Sequence, residues 1–177
     1  GALLAVGQRH RFGGGEGELA RRFHGHAEKP EAEAARLVGV LTGQPVELAA
    51  DDAGHLAMQR RRLSRLARMA FSVGWPLADG RENLPLVFVS RHGETPRTFE
   101  ILCDLAAEQP LSPTQFSLSV HNAVIGLWSI MRGETSEMTA LAAAGDGLEH
   151  GLLEAATLLA DGAPHVLLVI TEEQPPE

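Results

Sequence analysis

Two short strings in the 177-residue sequence carry residue types that can do chemistry. In the first, Ser90-Arg91-His92-Gly93-Glu94-Thr95, an Arg-His-Gly leaves the apolar run Leu84-Pro85-Leu86-Val87-Phe88-Val89. A histidine presented in this way can attack a phosphoryl group while the neighbouring arginine holds its oxygens. Such a reaction needs further groups: a second histidine near the first, another arginine on the phosphate, and a carboxylate to protonate the leaving group. The pair His150-Gly151 sits inside a helical pattern rather than at the end of a strand. The second string is Ser117-Leu118-Ser119-Val120-His121-Asn122-Ala123-Val124-Ile125-Gly126, which reads as a strand turning into an apolar helix. A tight turn of that kind exposes its apex side chain to the helix's free N–H groups, an arrangement suited to activating a nucleophile or holding an oxyanion. Here the turn carries His121 and Asn122, with neither Cys nor Ser at the apex. His121 can serve there as a base or a donor; equally, His121 and Asn122 can simply cap the helix.

The elements that must position these strings follow from periodicity. Leu63, Leu66, Ala67, Ala70 and Phe71 fall at helical spacing, with Arg61, Arg65 and Arg68 along another face, and Trp75-Pro76 and Asp79-Gly80 end that helix. Residues 84–90 form a short apolar run of the kind buried on both faces of a sheet. Thr95-Pro96 opens a helix to about Glu108, with Phe99, Leu102 and Leu105/Ala106 inward. Residues 115–120 read as a strand, and 123–131 as a helix apolar all round, which belongs in the middle of a layered fold. A strand over 137–144, a helix over 148–159 and a strand over 165–171 complete an alternation that predicts an α/β layer sandwich with a parallel or mixed sheet. The first fifty-odd residues are less patterned: a short strand within 1–10, a glycine-rich break, then an Ala- and charge-rich helix within 18–41.

Composition narrows the classes. A chain of 177 residues with a hydrophobic fraction of 44% can bury a core without disulfides or metals. Its single cysteine, Cys103, excludes an intramolecular disulfide framework and a multi-cysteine metal site built by this chain alone. His24 and His26 are two apart and share no helix face, so no metal site is expected. No apolar run approaches the roughly 18 residues of a membrane span, and a cytoplasmic protein is expected. Residues 1–75 carry eleven Lys/Arg against eight Asp/Glu, net +3, whereas 76–177 carry four against fifteen, net −11. That split argues against nucleic-acid binding, which needs a continuous basic face.

The cluster Arg60-Arg61-Arg62, Arg65 and Arg68 holds most of the basic excess. It can receive an acidic partner by electrostatic steering. It can also be a solvated helix face, or pair with the acidic remainder of the molecule.

Three ordered blocks carry a more specific signal. They are Met58-Gln59-Arg60-Arg61-Arg62-Leu63-Ser64-Arg65-Leu66-Ala67-Arg68-Met69-Ala70, Val87-Phe88-Val89-Ser90-Arg91-His92-Gly93-Glu94, and Leu111-Ser112-Pro113-Thr114-Gln115-Phe116-Ser117-Leu118-Ser119-Val120-His121-Asn122-Ala123. Together they resemble the β-ketoacyl-synthase-like N-terminal domain of chain-length-factor-like subunits in aryl polyene and related type II polyketide or fatty acid systems. The resemblance covers residues 58–177 and leaves 1–57 as a divergent, partly flexible segment. The Arg-His-Gly string is part of this pattern, which weakens its reading as a histidine-phosphatase-like site.

The resemblance implies a thiolase-like half: an α/β fold with a mixed five-stranded sheet layered with helices and a buried helix behind the nucleophile turn. In a working condensing enzyme that turn carries a cysteine. Here the resemblance puts His121 and Asn122 at a degenerate turn, and Cys103 lies inside the helix that follows Thr95-Pro96. The expected function is therefore a catalytically incomplete subunit without a cofactor. It would pair with an active β-ketoacyl synthase, or with a second copy of itself, and help set acyl chain length. Ala123, Val124 and Leu127 would line the acyl tunnel or the interface, and Arg60, Arg61, Arg62 and Arg65 would dock an acyl carrier protein. A phosphatase using Arg91-His92-Gly93 and a homodimeric acyl-binding scaffold are the alternatives.

Overall fold

The computed structural model describes residues 2–8, 38–41 and 61–175 of the chain. Arg60, and all of 1–57 outside the two short segments, lie beyond the described residues. Strands β3 (Leu86–Val89), β4 (Met138–Leu141) and β5 (Val166–Glu172) form a three-stranded parallel core. The backbones of β1 (Ala2–Gln8) and β2 (Val38–Leu41) extend it to the order β2-β1-β5-β3-β4. Every pairing is parallel, which corrects the expectation of a mixed sheet. Parallel neighbours require crossover connections: helices lie between β3 and β4, and the return from β4 to β5, on the other side of β3, carries another. β2 also corrects the helix expected through Leu41, since 38–41 is extended and paired to β1.

Helix α1 (Arg65–Ala78) starts where Ser64 accepts a hydrogen bond from the Ala67 amide at 3.0 Å. It runs through Pro76 rather than ending at Trp75-Pro76. Helices α2 (Thr95–Ala106), α3 (Pro113–Ser117) and α4 (Ala123–Arg132) follow β3, and α5 (Gly147–Ala160) follows β4. The expected strand over 115–120 is thus a correction: its first residues belong to a short helix. The physical reason is visible in the sequence, because Ser112 caps the Gln115 amide and Pro113 takes the first helical position.

Burial alternates along the strands. Leu86 and Phe88 of β3, with Leu167 and Val169 of β5, face α1 and α4 and join Leu66, Phe71, Val124, Leu127 and Trp128 in one core. Val87 and Val89, with Val166 and Leu168, face α5 and meet Ala155 and Leu158 in the other. β3 and residues 166–170 of β5 are apolar because both faces are covered. Phe71 and Trp128 meet edge to face at 5.2 Å, and Arg132 stacks over Trp75 and Trp128 while donating to the Ala78 carbonyl at 2.8 Å. On the other face, a Cβ at Gly151 would lie 2.8 Å from a Leu168 methyl, so the missing side chain sets how closely α5 approaches the sheet.

α2 has no such seat. It buries no residue, and Phe99, Leu102 and Leu105, expected to point inward, are 46%, 55% and 58% exposed. The helical stripe is present as expected, but nothing among the described residues covers it.

Candidate functional site

The two strings come together at the carboxyl ends of β3 and β5. Ser90 directly follows β3, and Glu172 closes β5. The Glu172 carboxylate accepts hydrogen bonds from the backbone amides of Arg91 at 2.6 Å and His92 at 3.2 Å. It also lies 3.0 Å from His92 Nδ1 and 3.4 Å from Ser90 Oγ. Two successive backbone amides aimed at one carboxylate make a small anion-binding concavity, here filled by the protein's own side chain. The imidazole therefore presents Nδ1 to a carboxylate.

His121 reaches the same loop. Its Nε2–H donates to the Ser90 carbonyl at 2.8 Å, and its ring packs on Gly93. Gly93 has φ +53°, and a Cβ there would stand 2.6 Å from His121 Cδ2, so conformation and contact both require glycine at this position. Ser90 Oγ accepts from the Gly93 amide at 3.0 Å, which closes the turn.

A second carboxylate holds the start of α2. Glu94 is buried, accepts from Ser64 Oγ at 2.5 Å and pairs with Arg97 Nε at 3.3 Å. Arg97 also donates to the Arg62 carbonyl at 3.2 Å. Ser64 thus caps α1 and at the same time ties it to the start of α2. Beside this pair, burial pushes the Glu173 carboxyl above its ordinary range; Arg65 at 3.8 Å opposes that shift and Glu94 adds to it.

The expected site residues separate into groups. His121 and Asn122 do not sit on a strand-to-helix turn; they join α3 to α4. Asn122 occupies the N-cap position of α4, is exposed and makes no side-chain capping bond. Ala123, Val124 and Leu127 are buried at 8%, 2% and 6% exposure, the latter two within this chain's own core, while Gly126 and Ile130 form the open side of α4. Arg61, Arg62, Arg65 and Arg68 are all exposed, with Arg65 in the loose ion pair to Glu173. Cys103 is exposed on α2.

Sequence reasoning missed Glu172 and the Ser64–Glu94 tie. Glu172 is one of two acidic residues ending an apolar strand, and only the neighbouring position of β3 and β5 reveals what it binds. Among the described residues, two turns lead from a core strand into a helix. One is the loop 90–94 into α2; the other is Ala142-Ala143-Ala144-Gly145-Asp146 into α5. Of these helices, only α5 is packed against the sheet, through Gly151, Ala155 and Leu158.

These features define a layered α/β half-fold whose polar loops gather at the carboxyl ends of a parallel sheet. The chain belongs to the β-ketoacyl synthase N-terminal domain family, which it matches over residues 42–177. Among solved structures it is similar to a chain of the complex between the ketosynthase ApeO and its chain length factor ApeC from Xenorhabdus doucetiae. The identity is 33% over 75% of this chain, with a TM-score of 0.64. The present chain spans 53% of that chain's length. No curated protein matches. The relationship makes the structural neighbour a thiolase-like ketosynthase assembly, and it favours neither the phosphatase nor the scaffold alternative. No helix among the described residues is long and apolar enough to cross a membrane.

Proposed function

We propose that the chain is a ketosynthase-like subunit without a condensing nucleophile of its own. It pairs with an active β-ketoacyl synthase in the cytoplasm and helps set acyl chain length in polyketide, aryl polyene or fatty acid assembly. The observation that carries this reading is the turn from β4 into the packed helix α5. In a condensing enzyme of this kind a strand-to-helix turn before a buried helix holds the acyl-carrying cysteine; here it reads Ala142-Ala143-Ala144-Gly145-Asp146. We assign the degenerate nucleophile turn to these residues and not to His121 and Asn122, which link two helices. Cys103 stands on the exposed face of α2 and has no such turn around it.

Two surfaces support the pairing. β4 is one of the two edge strands of the sheet, half-buried along its length, and edge strands offer unpaired backbone groups to another chain. α2 and α3 touch, and both expose large apolar residues, among them Phe99, Leu102 and Phe116; exposed apolar surface of that kind marks interaction sites. The known assembly of ApeO with ApeC supports a ketosynthase as the partner. The same reading moves the tunnel-facing positions outward along α4, from the buried Ala123, Val124 and Leu127 to Gly126 and Ile130. Arg61, Arg62 and Arg65 remain the proposed docking point for an acyl carrier protein.

The test is acyl transfer from an acyl carrier protein to the co-purified pair, read by intact-protein mass. The acyl mass is expected on the ketosynthase alone, and Gly126→Leu is expected to shift product length with the pair intact. Acylation of this chain, or its failure to co-purify with any ketosynthase, would overturn the proposal.

A further inference from the structure

Among the described residues α2 is the one long helix that buries none of its own side chains. An amphipathic helix is normally positioned by its apolar face. Here that face points outward, so its position has to come from elsewhere. The bonds that remain are polar and crowd at its N-terminal end. Glu172 holds the Arg91 and His92 amides and the His92 ring, His121 holds the Ser90 carbonyl, and Glu94 is tied to Ser64. Farther along, Thr98 Oγ1 donates to the Ser119 carbonyl at 3.3 Å and links α2 to the segment after α3.

Among these ties Glu172 is distinctive. It comes from β5, which is flanked by β1 and β3 and buried at its centre, so its backbone is among the most firmly held in the fold. Its carboxylate gathers donors from three consecutive residues, Ser90, Arg91 and His92, just before α2 begins. We propose that Glu172 is the positioning residue for α2: it transmits the fixed direction of the sheet to the exposed helix, and so sets the geometry of the surface on which a ketosynthase docks. The docking part of this inference rests on the pairing proposed above; the positioning part does not.

The chain provides its own reporter, because its single cysteine, Cys103, is exposed on α2. A nitroxide attached to Cys103 reads the motion of that helix by electron paramagnetic resonance. In Glu172→Ala the label is expected to move from a slow to a fast spectral component, with the melting temperature held near that of the unsubstituted chain. Glu172→Gln keeps one carbonyl acceptor for the Arg91 or His92 amide and is expected to restore part of the slow component. With unlabelled protein and ApeO as the probe, Glu172→Ala is expected to lose roughly tenfold in affinity, the scale of one charge-assisted hydrogen bond, and Glu172→Gln less.

An unchanged spectrum in Glu172→Ala overturns the inference. So does a loss of order that Glu172→Gln fails to restore, because that describes a structural residue without a positioning role. If Glu172→Ala does not fold, Glu172→Gln decides alone: motion gained at Cys103 with amide exchange in α5 unchanged supports the inference, and exchange raised equally in both helices overturns it. An unsubstituted chain that fails to bind ApeO counts against the pairing and leaves the spectral result to stand by itself.

Discussion

α5 and α2 both follow core strands, at neighbouring positions in the same sheet, yet they are held by different forces. α5 lies on the sheet through Gly151, Ala155 and Leu158 and shares a core with β3 and β5. α2 is attached through carboxylates and backbone amides at one end and offers Phe99, Leu102 and Leu105 to the outside. Apolar burial is proportional to area and indifferent to direction, whereas a hydrogen-bonded clamp fixes direction while contributing little net stability. The first arrangement builds the body of the fold, and the second suits a surface completed by another chain. Substitutions in the two regions should therefore separate stability from assembly.

The largest effect is expected in the packed region. Phe71 is fully buried between Trp75 and Trp128, at ring distances of 6.0 Å and 5.2 Å. Phe71→Ala removes a fully buried ring and is expected to cost about 3–5 kcal/mol. Denaturant unfolding followed by tryptophan fluorescence measures it. A cost below about 1 kcal/mol would mean that the α1–α4 layer is looser than its geometry implies.

An intermediate effect belongs to a buried polar group in the connection between α4 and β4. Glu134 is buried, and burial alone pushes its carboxyl upward. That push is outweighed by the Ser136 hydroxyl at 2.7 Å, the Ser136 amide at 2.9 Å, the Leu84 amide at 3.3 Å and the Thr135 amide at 3.0 Å, so the net shift is downward. A group whose folded value is lowered contributes stability that is complete above the ordinary glutamate range and lost as pH falls through the folded value. Glu134→Gln is expected to cost about 1–3 kcal/mol at neutral pH and to reduce the fall in stability below the ordinary glutamate range. Parallel pH titrations of stability for the two proteins check it; parallel curves would show that the carboxylate is not pinned.

How much of this was legible depended on whether the deciding partner lay nearby in sequence. β3 and β5 announce themselves as unbroken apolar runs, because strands covered on both faces need no polar alternation. The resemblance carried by the Arg-rich helix, the Arg-His-Gly string and the block ending at Ala123 led to the correct family. The segment 115–120 misled because Phe116, Leu118 and Val120 alternate like a strand, while the start signal Ser112-Pro113 just before it was decisive. That error moved the strand-to-helix turn to His121 and hid the one at 142–146. Periodicity also placed the stripe of α2 correctly and its direction wrongly, since a 3.6-residue repeat states that a face is apolar and not what covers it. Glu172 was beyond reach because its donors are some eighty residues away, across a strand pairing that no local pattern specifies.

The smallest effect on stability is expected where a substitution looks most severe on paper. Phe116 is a large aromatic residue on α3, and at 68% exposure most of its surface already meets water in the isolated chain. Phe116→Ser therefore removes little burial on folding and should change stability by no more than about 0.5 kcal/mol, against several for Phe71→Ala. Its cost should emerge on pairing, where an aromatic buried by the partner contributes about 1 kcal/mol or more to association. Unfolding curves of the isolated chain, set beside titration of Phe116→Ser against a ketosynthase, measure both quantities. If stability falls as far as in Phe71→Ala, α3 is part of the core and the contrast between the two regions fails. If neither stability nor pairing changes, the apolar face of α2 and α3 is not where the partner sits, and the edge strand β4 has to supply the contact.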